Sequence, residues 1–481
     1  MIPAAVIVTA SAAVAAVLLI RTFMSREKFT VGITLPPVPV DTFKAAQRLS
    51  GAVQIKTIAC DDISKTDMNA FSEFREYLER TYPGVHRVMT RETVNGASLL
   101  FRWPGKSGGK KPVLFLAHID VVPVEHGSED DWEYPPFSGA VTGNAVWGRG
   151  TRDIKNQLIS ILEAAETVIA RGFVPERDIY FAFGHDEETR RHDGADMMAK
   201  MLREKGVTFE FVLDEGGEVI DNAVAGIGRP IAFIGIAEKG FANIRLSAKS
   251  GGGHSSMPPE HTAAGIVSRA VAKIESHRMP LRITPPVAEM FKALAPSMNF
   301  GIRIILSNLW LFAPFFKKIF AKTDSGAAFL RTTTAPTMLQ GSNAPNVLPL
   351  SASAVVNARI LYGDSSVSLK ARLEKIIGDK SVSIEMNQVY EPSKVSPVDS
   401  YGFLCIAETI HALWPGAVIT PYLVVGGTDA RKYEDLSECV YRFTPMRIDN
   451  SEMKQVHGTN EHISLDNIAD SIRFYIVMFS R

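Results

Sequence analysis

Three apolar runs, each followed at once by histidine or carboxylates, constrain the fold of this chain more than any other feature. They are VLFLAHID with His118 and Asp120, IYFAFGHDEE with Glu187 and Glu188, and FEFVLDEGG with Asp214. A fourth carboxylate, Asp153, stands in GRGTRDIKN between the first two runs. Segments that are apolar throughout read as strands of a parallel sheet covered on both faces. In open α/β sheets, ligands gather beyond the carboxyl ends of the strands. Nitrogen and oxygen donors recurring at those ends point to a metal site.

The segments between the runs read as helices. From Asp153 to Arg171, apolar Ile154, Leu158, Ile161, Leu162, Ala165, Val168 and Ile169 fall at helical spacing, and Gly172 marks the stop. Residues Gly194 to Lys205 form a second crossover helix ended by Gly206. Strands alternating with such helices make an α/β fold with a mostly parallel sheet flanked by helices. Near Ile231 the pattern changes to strand-rich sequence around helices, which predicts a smaller α+β sandwich inserted into the first domain. The boundaries expected are 26–238 and 391–481 for the large domain and 239–390 for the inserted one. Within the insertion, residues 287–320 are apolar and poor in acids, and Asn308 and Pro314 interrupt them. A helical hairpin completing the small domain is one reading, and a lipid-facing or acyl-chain-binding surface is the other.

Composition narrows the partners. Lys+Arg and Asp+Glu are both 52 in 481 residues, so nothing favours nucleic acid or a polyanion. The three cysteines, Cys60, Cys405 and Cys439, form no CxxC pair, so a metal here must be held by nitrogen and oxygen. From Ile2 to Ile20 there is no charge, and Arg21, Arg26 and Lys28 follow. That run approaches the roughly 20 residues of a membrane-spanning helix, and the start lacks the basic residues of a cleaved signal. Residues 1–25 are therefore expected to anchor the chain in a membrane, with a signal segment and a buried helix as the other readings. The basic flank by itself favours a cytoplasmic body. Leu35 to Val40 reads as a stiff Pro-rich linker.

Each motif has a chemical reading and a plainer one. On a strand, residues two apart point the same way, so Asp120 can reach the His118 imidazole and fix its tautomer; an incidental aspartate is the alternative. Gly148 and Gly150 let the next helix begin with Asp153 aimed at the sheet edge, where an acid is also ordinary capping chemistry. Glu187 and Glu188 diverge, so one can bind metal while the other moves protons; a solvated acidic loop has the same composition. Two carboxylates there would repel each other without a cation. His457 in VHGTNEH is the best second histidine, while His126, His192 and His462 read as surface residues. His254, in the glycine-rich SGGGHSSMPP loop, either closes over a substrate or stays in solvent.

AHIDVVPV, GRGTRDIKN, GHDEE, LDEGG, GHSSMPP, PNVLP, GGTDAR and HGTNEHIS occur in an order that resembles the di-zinc metallopeptidases. That family includes carboxypeptidase S, aminoacylase and succinyl-diaminopimelate desuccinylase. IILSNLWLF and LRTTTAPT resemble most the carboxypeptidase S branch with its N-fatty-acyl-amino-acid synthase/hydrolases. The resemblance implies two Zn2+ per subunit, held by His118, Asp153, Glu188, Asp214 and His457, with Asp153 bridging. It implies Glu187 as general acid/base and Asp120 as the residue orienting His118. It places His254, Asn346 and Arg359 at lid positions that contact substrate, and Gly427 and Thr428 in the pocket wall. The expected activity is hydrolysis, and in the related enzymes also synthesis, of amide bonds in N-acyl amino acids. A carboxypeptidase or dipeptidase is the alternative, and an inactive membrane-tethered binding protein is the alternative of another class. The resemblance also implies an extracytoplasmic catalytic domain, secretion being the other location, and a homodimer among the assemblies. Two departures stand out: Ile154 follows Asp153 where the family has a second acid, and Thr-Arg-Arg-His-Asp precedes the glycine after DEE.

Overall fold

The continuous apolar runs pair with one another as expected. In the computed structural model, which describes residues 4–30, 33–35, 38–106 and 108–481, strand Val113–His118 is buried along its whole length. It lies between Ile179–Gly184 and Val212–Asp214, parallel to both. Val113, Phe115 and Ala117 enter one core, with helices Thr42–Gln54, Lys155–Ile169 and Leu465–Phe479. Leu114 and Leu116 enter another, with helix Ala195–Glu204. Cover on both faces is the physical reason this strand shows no polar alternation. The sheet has ten strands, parallel at its centre and antiparallel toward Thr90–Val94 and Ser98–Trp103. The fold is α/β, with a mixed sheet flanked by helices.

A separate four-stranded antiparallel sheet runs Thr333–Gln340, Ser351–Ile360, Gly240–Lys249, Ser383–Tyr390. Its central strand alternates strictly, with Ala352, Ala354, Val356, Ala358 and Ile360 buried against helices Ala263–Ser276 and Ser366–Ile377. The opposite face carries Arg359. Strand Gly240–Lys249 begins two residues after Ile231–Glu238 leaves the large sheet, so a short joint leads from one sheet into the other. Buried Glu238 secures that joint. Its carboxylate accepts from Arg442 Nε and Thr428 Oγ1, each at 2.6 Å, and from Arg431.

Two expectations change. Helix Pro285–Leu294, the start of the apolar insert, does not complete the small sandwich. Val287, Met290, Phe291 and Leu294 pack with Ile231, Val418 and Leu423 of the large sheet. Helices Phe300–Ser307 and Leu309–Phe320 follow, bent by 113° at Asn308, and expose Phe300, Trp310, Leu311, Phe315 and Ile319.

The membrane-spanning anchor is the second correction. Among the described residues no single helix is long and apolar enough to cross a membrane; the apolar stretch there is Thr9–Met24. Helix Ala4–Met24 instead lies against the insert. Asn308 Nδ2 donates to Leu18 O at 3.1 Å and to Thr22 Oγ1 at 3.3 Å, and Arg21 Nε donates to Ser307 O at 3.3 Å. An uncharged run has the same composition whether it meets lipid or a neighbouring apolar hairpin. Residues 1–3 of the expected anchor and 36–37 of the Pro-rich linker lie outside the described residues.

The joint provides a stability test. Burial alone would raise the Glu238 pKa, but Arg442 and Arg431 pull it down to about 2. A depressed carboxylate contributes stability that is complete above the unfolded value of about 4.3. That contribution is lost as pH falls through the folded value. Glu238→Gln, which takes the nearer carboxylate from buried Arg442 and leaves it only Glu434 at 3.5 Å, is expected to cost about 3 kcal/mol at neutral pH. Chemical denaturation should show this loss shrinking as pH falls from about 4 toward about 2.

Candidate active site

The strand ends and the loops that follow them converge on one carboxylate. Asp153 Oδ1 lies 3.1 Å from His118 Nε2, and its Oδ2 lies 3.0 Å from His457 Nε2. Around the first imidazole stands Glu215, its Oε1 3.4 Å from His118 Nε2. Around the second stands Glu188, its Oε2 3.2 Å from His457 Nε2. Asp153 thus has a histidine and a glutamate on each side. His118, Asp153 and Glu188 form one group able to hold a cation, and His118, Glu187 and Glu215 form another.

Local structure explains how these groups are held. His118 ends its strand, and its Nδ1 donates to Asp120 O at 2.8 Å with Asp120 Oδ1 at 3.5 Å. The residue orients the ring mostly through its carbonyl. The Asp120 carboxylate accepts from the N–H groups of Glu187 (3.3 Å) and Glu188 (3.0 Å), which fixes the acidic loop after Ile179–Gly184. Gly150 takes φ +87, a conformation that side chains resist, and helix Lys155–Ile169 begins five residues on. Ile154, the residue after Asp153, is buried in the core and offers Asp153 no polar support. Support for Asp153 comes from Glu461 instead. Its buried carboxylate accepts from Arg152 N at 2.7 Å and Asp153 N at 3.2 Å and pairs with Arg149 at 2.7 Å. Arg149 in turn donates to His457 O at 3.3 Å, holding the loop where His457 has φ +60.

Asp214 is not brought to this cluster. Its oxygens accept from Ala430 N at 2.7 Å and Glu215 N at 2.9 Å, inside the core. The next residue, Glu215, faces His118 in its place. The glycines after it are required by space: a Cβ on Gly217 would sit 1.8 Å from Phe233 O. Glu187, Phe241, Arg359, Tyr390, Gly427 and Thr428 line a single cleft beside the cluster, together with Arg190. His254 and Asn346 do not reach it. Both are exposed on the small two-stranded pairing, where Ser255 N donates to Asn346 O at 3.1 Å.

Electrostatics show what the cluster lacks. Burial opposes charge on His118, yet Glu215, Asp120 and Asp153 hold its pKa well above the ordinary value. Hydrogen bonds to Asp153 and Glu188 push His457 up to about 10. Burial, and after it Asp153, pushes Glu215 up to about 8. Burial also raises Glu187 well above its usual range, with Glu188, Glu215 and Asp429 adding to the shift. Glu188 Oε1 is buried without a hydrogen-bond partner. Carboxylates crowded in a partly buried site call for cations, and imidazole with carboxylate oxygen is a donor set that suits zinc. The residues present fit such a metal.

Fold and site together define a metallopeptidase-type amide hydrolase. The chain belongs to Peptidase family M20/M25/M40, whose model matches residues 114–481. Enzymes of this family are zinc-dependent. The chain is 36% identical over 455 residues to the probable carboxypeptidase S-like 2 of Dictyostelium discoideum, covering 92% of this chain and 86% of that one. It is also 36% identical over 434 residues to the N-fatty-acyl-amino acid synthase/hydrolase PM20D1 of Xenopus tropicalis, covering 89% and 84%. Its fold is similar to that of the M20 family metallo-carboxypeptidase Sso-CP2 from Sulfolobus solfataricus, with a TM-score of 0.68 at 15% identity over 91% and 98% of the chains.

Glu215 and Asp214 separate by metal content. Glu215→Ala is expected to weaken zinc binding by about 10-fold or more. Asp214→Asn should retain the wild-type zinc content, as measured by equilibrium dialysis with elemental analysis. Equal loss in both variants would return Asp214 to the metal site.

Proposed function

We propose that this protein hydrolyses the amide bond of N-acyl amino acids carrying a fatty acyl group, using two zinc ions. The observation that carries the reading is the Asp153 carboxylate set between His118 and His457 with Glu187 alongside. His118, Asp153 and Glu215 would hold one ion, and His457, Asp153 and Glu188 the other. Bound zinc lowers the pKa of water toward neutrality and polarises a carbonyl. The protein's own groups supply the rest. Burial gives Glu187 a raised pKa, so its carboxylate can take a proton from the attacking water and return it to the leaving amine nitrogen. Arg359 on the cleft wall is free to hold the carboxylate of the amino-acid half. The same groups acting in reverse would condense acid with amine.

Support for a fatty acyl group comes from the relative whose name states it and from the apolar hairpin this chain exposes. A carboxypeptidase or dipeptidase action is favoured by the carboxypeptidase S-like relative. Release of phenylalanine from N-oleoyl-phenylalanine, set against cleavage of Gly-Leu, decides between them; preference for Gly-Leu overturns the acyl reading. Glu187→Gln is expected to lower kcat about 10²–10⁴-fold while the zinc content stays at the wild-type level. Chelation should abolish turnover and zinc should restore it; turnover that persists in the metal-free protein would refute a metal-dependent reaction.

A further inference from the structure

The wall of the cleft formed by the small sheet carries more positive charge than one carboxylate can match. Arg359, Phe241 and Tyr390 are direct cross-strand neighbours, Phe241 pairing with Arg359 on one side and with Tyr390 on the other. Onto this row the large domain lays Arg190, two residues beyond Glu188. Its guanidinium sits 4.1 Å from the centre of the Phe241 ring, where Arg359 also stacks at 5.0 Å. Tyr390 Oη donates to Arg190 O at 3.1 Å, which ties the loop to the wall. Arg190 belongs to the Thr-Arg-Arg-His-Asp stretch that follows Glu188, and its backbone takes φ +53.

The other cations of the cleft are satisfied. Arg431 pairs with Glu238, and Lys432 pairs with Asp196 at 3.1 Å and Asp429 at 3.2 Å. Among the described residues, neither Arg190 nor Arg359 has an ion-pair partner or a side-chain hydrogen bond; the Phe241 ring is what each side chain touches. Burial, and then Arg190 and Arg431, draw the Arg359 pKa down to about 10, as expected of cations held together. Of the two carboxylates lining the same cleft, Asp429 pairs with Lys432 and Glu187 is the proton carrier of the proposed reaction.

From this geometry we infer that Arg190 is a specificity-determining residue that binds a second carboxylate, so that the amino-acid half of the substrate is acidic, an N-acyl glutamate or aspartate. The inference rests on the N-acyl amino acid reading above. Arg359 takes the α-carboxylate, and Arg190 takes the side-chain carboxylate. A planar guanidinium is suited to each. With an apolar amino acid bound, Arg190 would keep its charge in the partly buried cleft without a counter-ion, which disfavours that substrate.

The test compares N-lauroyl-glutamate with N-lauroyl-phenylalanine on the zinc-loaded full chain. The wild type is expected to favour the glutamate conjugate. Arg190→Gln should lower its kcat/KM about 10- to 100-fold, chiefly through KM, and change the phenylalanine conjugate less than about threefold. Arg190→Lys should recover part of the loss. Equal losses on both substrates, or none, overturn the inference. Turnover of the phenylalanine conjugate alone overturns it while leaving the N-acyl amino acid reading intact. Calorimetric titration of Glu187→Gln with both conjugates keeps the question open to a result if neither is turned over. Tighter binding of the glutamate conjugate, lost on adding Arg190→Gln, supports a second carboxylate site, and equal affinities refute it.

Discussion

The carboxylate of Asp153 is the contact on which the rest of the site depends. Its two oxygens face two imidazoles that approach from opposite ends of the sequence, His118 and His457. Such an arrangement is costly without compensation, because burying like charges and hydrogen-bond acceptors in a dry cleft raises their free energy. The protein supplies that compensation through backbone. Glu461 accepts from the consecutive N–H groups of Arg152 and Asp153, and Arg149 joins Glu461 to the His457 loop. One buried ion pair therefore positions both the Asp153 carboxylate and the histidine most distant from it in sequence. The remaining excess of carboxylate is what makes the cluster a receptor for cations.

The two sheets divide the chemistry. Strand ends and loops of the large domain present the His118, Asp153 and His457 cluster and Glu187, whereas the small sheet presents Arg359 and Phe241 as a wall. What holds the wall against the donors is Glu238, buried at the end of its strand and bound by Arg442, Arg431 and Thr428. Thr428 and Arg431 come from the GGTDAR loop, so the segment that lines the cleft also fastens the joint. Specificity and stability share residues here, which restricts how either can change.

Much of the site was legible because periodicity and strand-end chemistry are local properties. His118, Asp153, Glu187, Glu188 and His457 lie together; the buried runs pointed to the strand-end groups, whereas His457 stood out only as the best second histidine and by family resemblance. Asp214 did not, and the reason is a single register step: adjacent residues at a strand end diverge, and the motif DEGG does not say which of its two acids faces His118. Glu461 carried no signal beyond its place in NEHIS, because its partners, the Arg152 and Asp153 N–H groups and the Arg149 side chain, lie more than 300 residues away in sequence. Arg190 was visible only as a departure from pattern. His254 and Asn346 stand exposed and apart from the cleft. The apolar insert and the N-terminal helix were misassigned because hydrophobicity reports that a face must be covered, without naming the cover.

By itself the sequence determined the α/β class, the buried parallel strands and the gathering of nitrogen and oxygen groups after them. These depend on residue type and short-range spacing, which the chain carries in full. Tertiary structure alone decided that Glu215 and not Asp214 faces the imidazole, that Glu461 steadies Asp153, and that Arg190 stands over Phe241. It also decided that the N-terminal helix packs on the insert. Each of these depends on which way a side chain points once distant segments meet, a matter settled by packing across the whole fold.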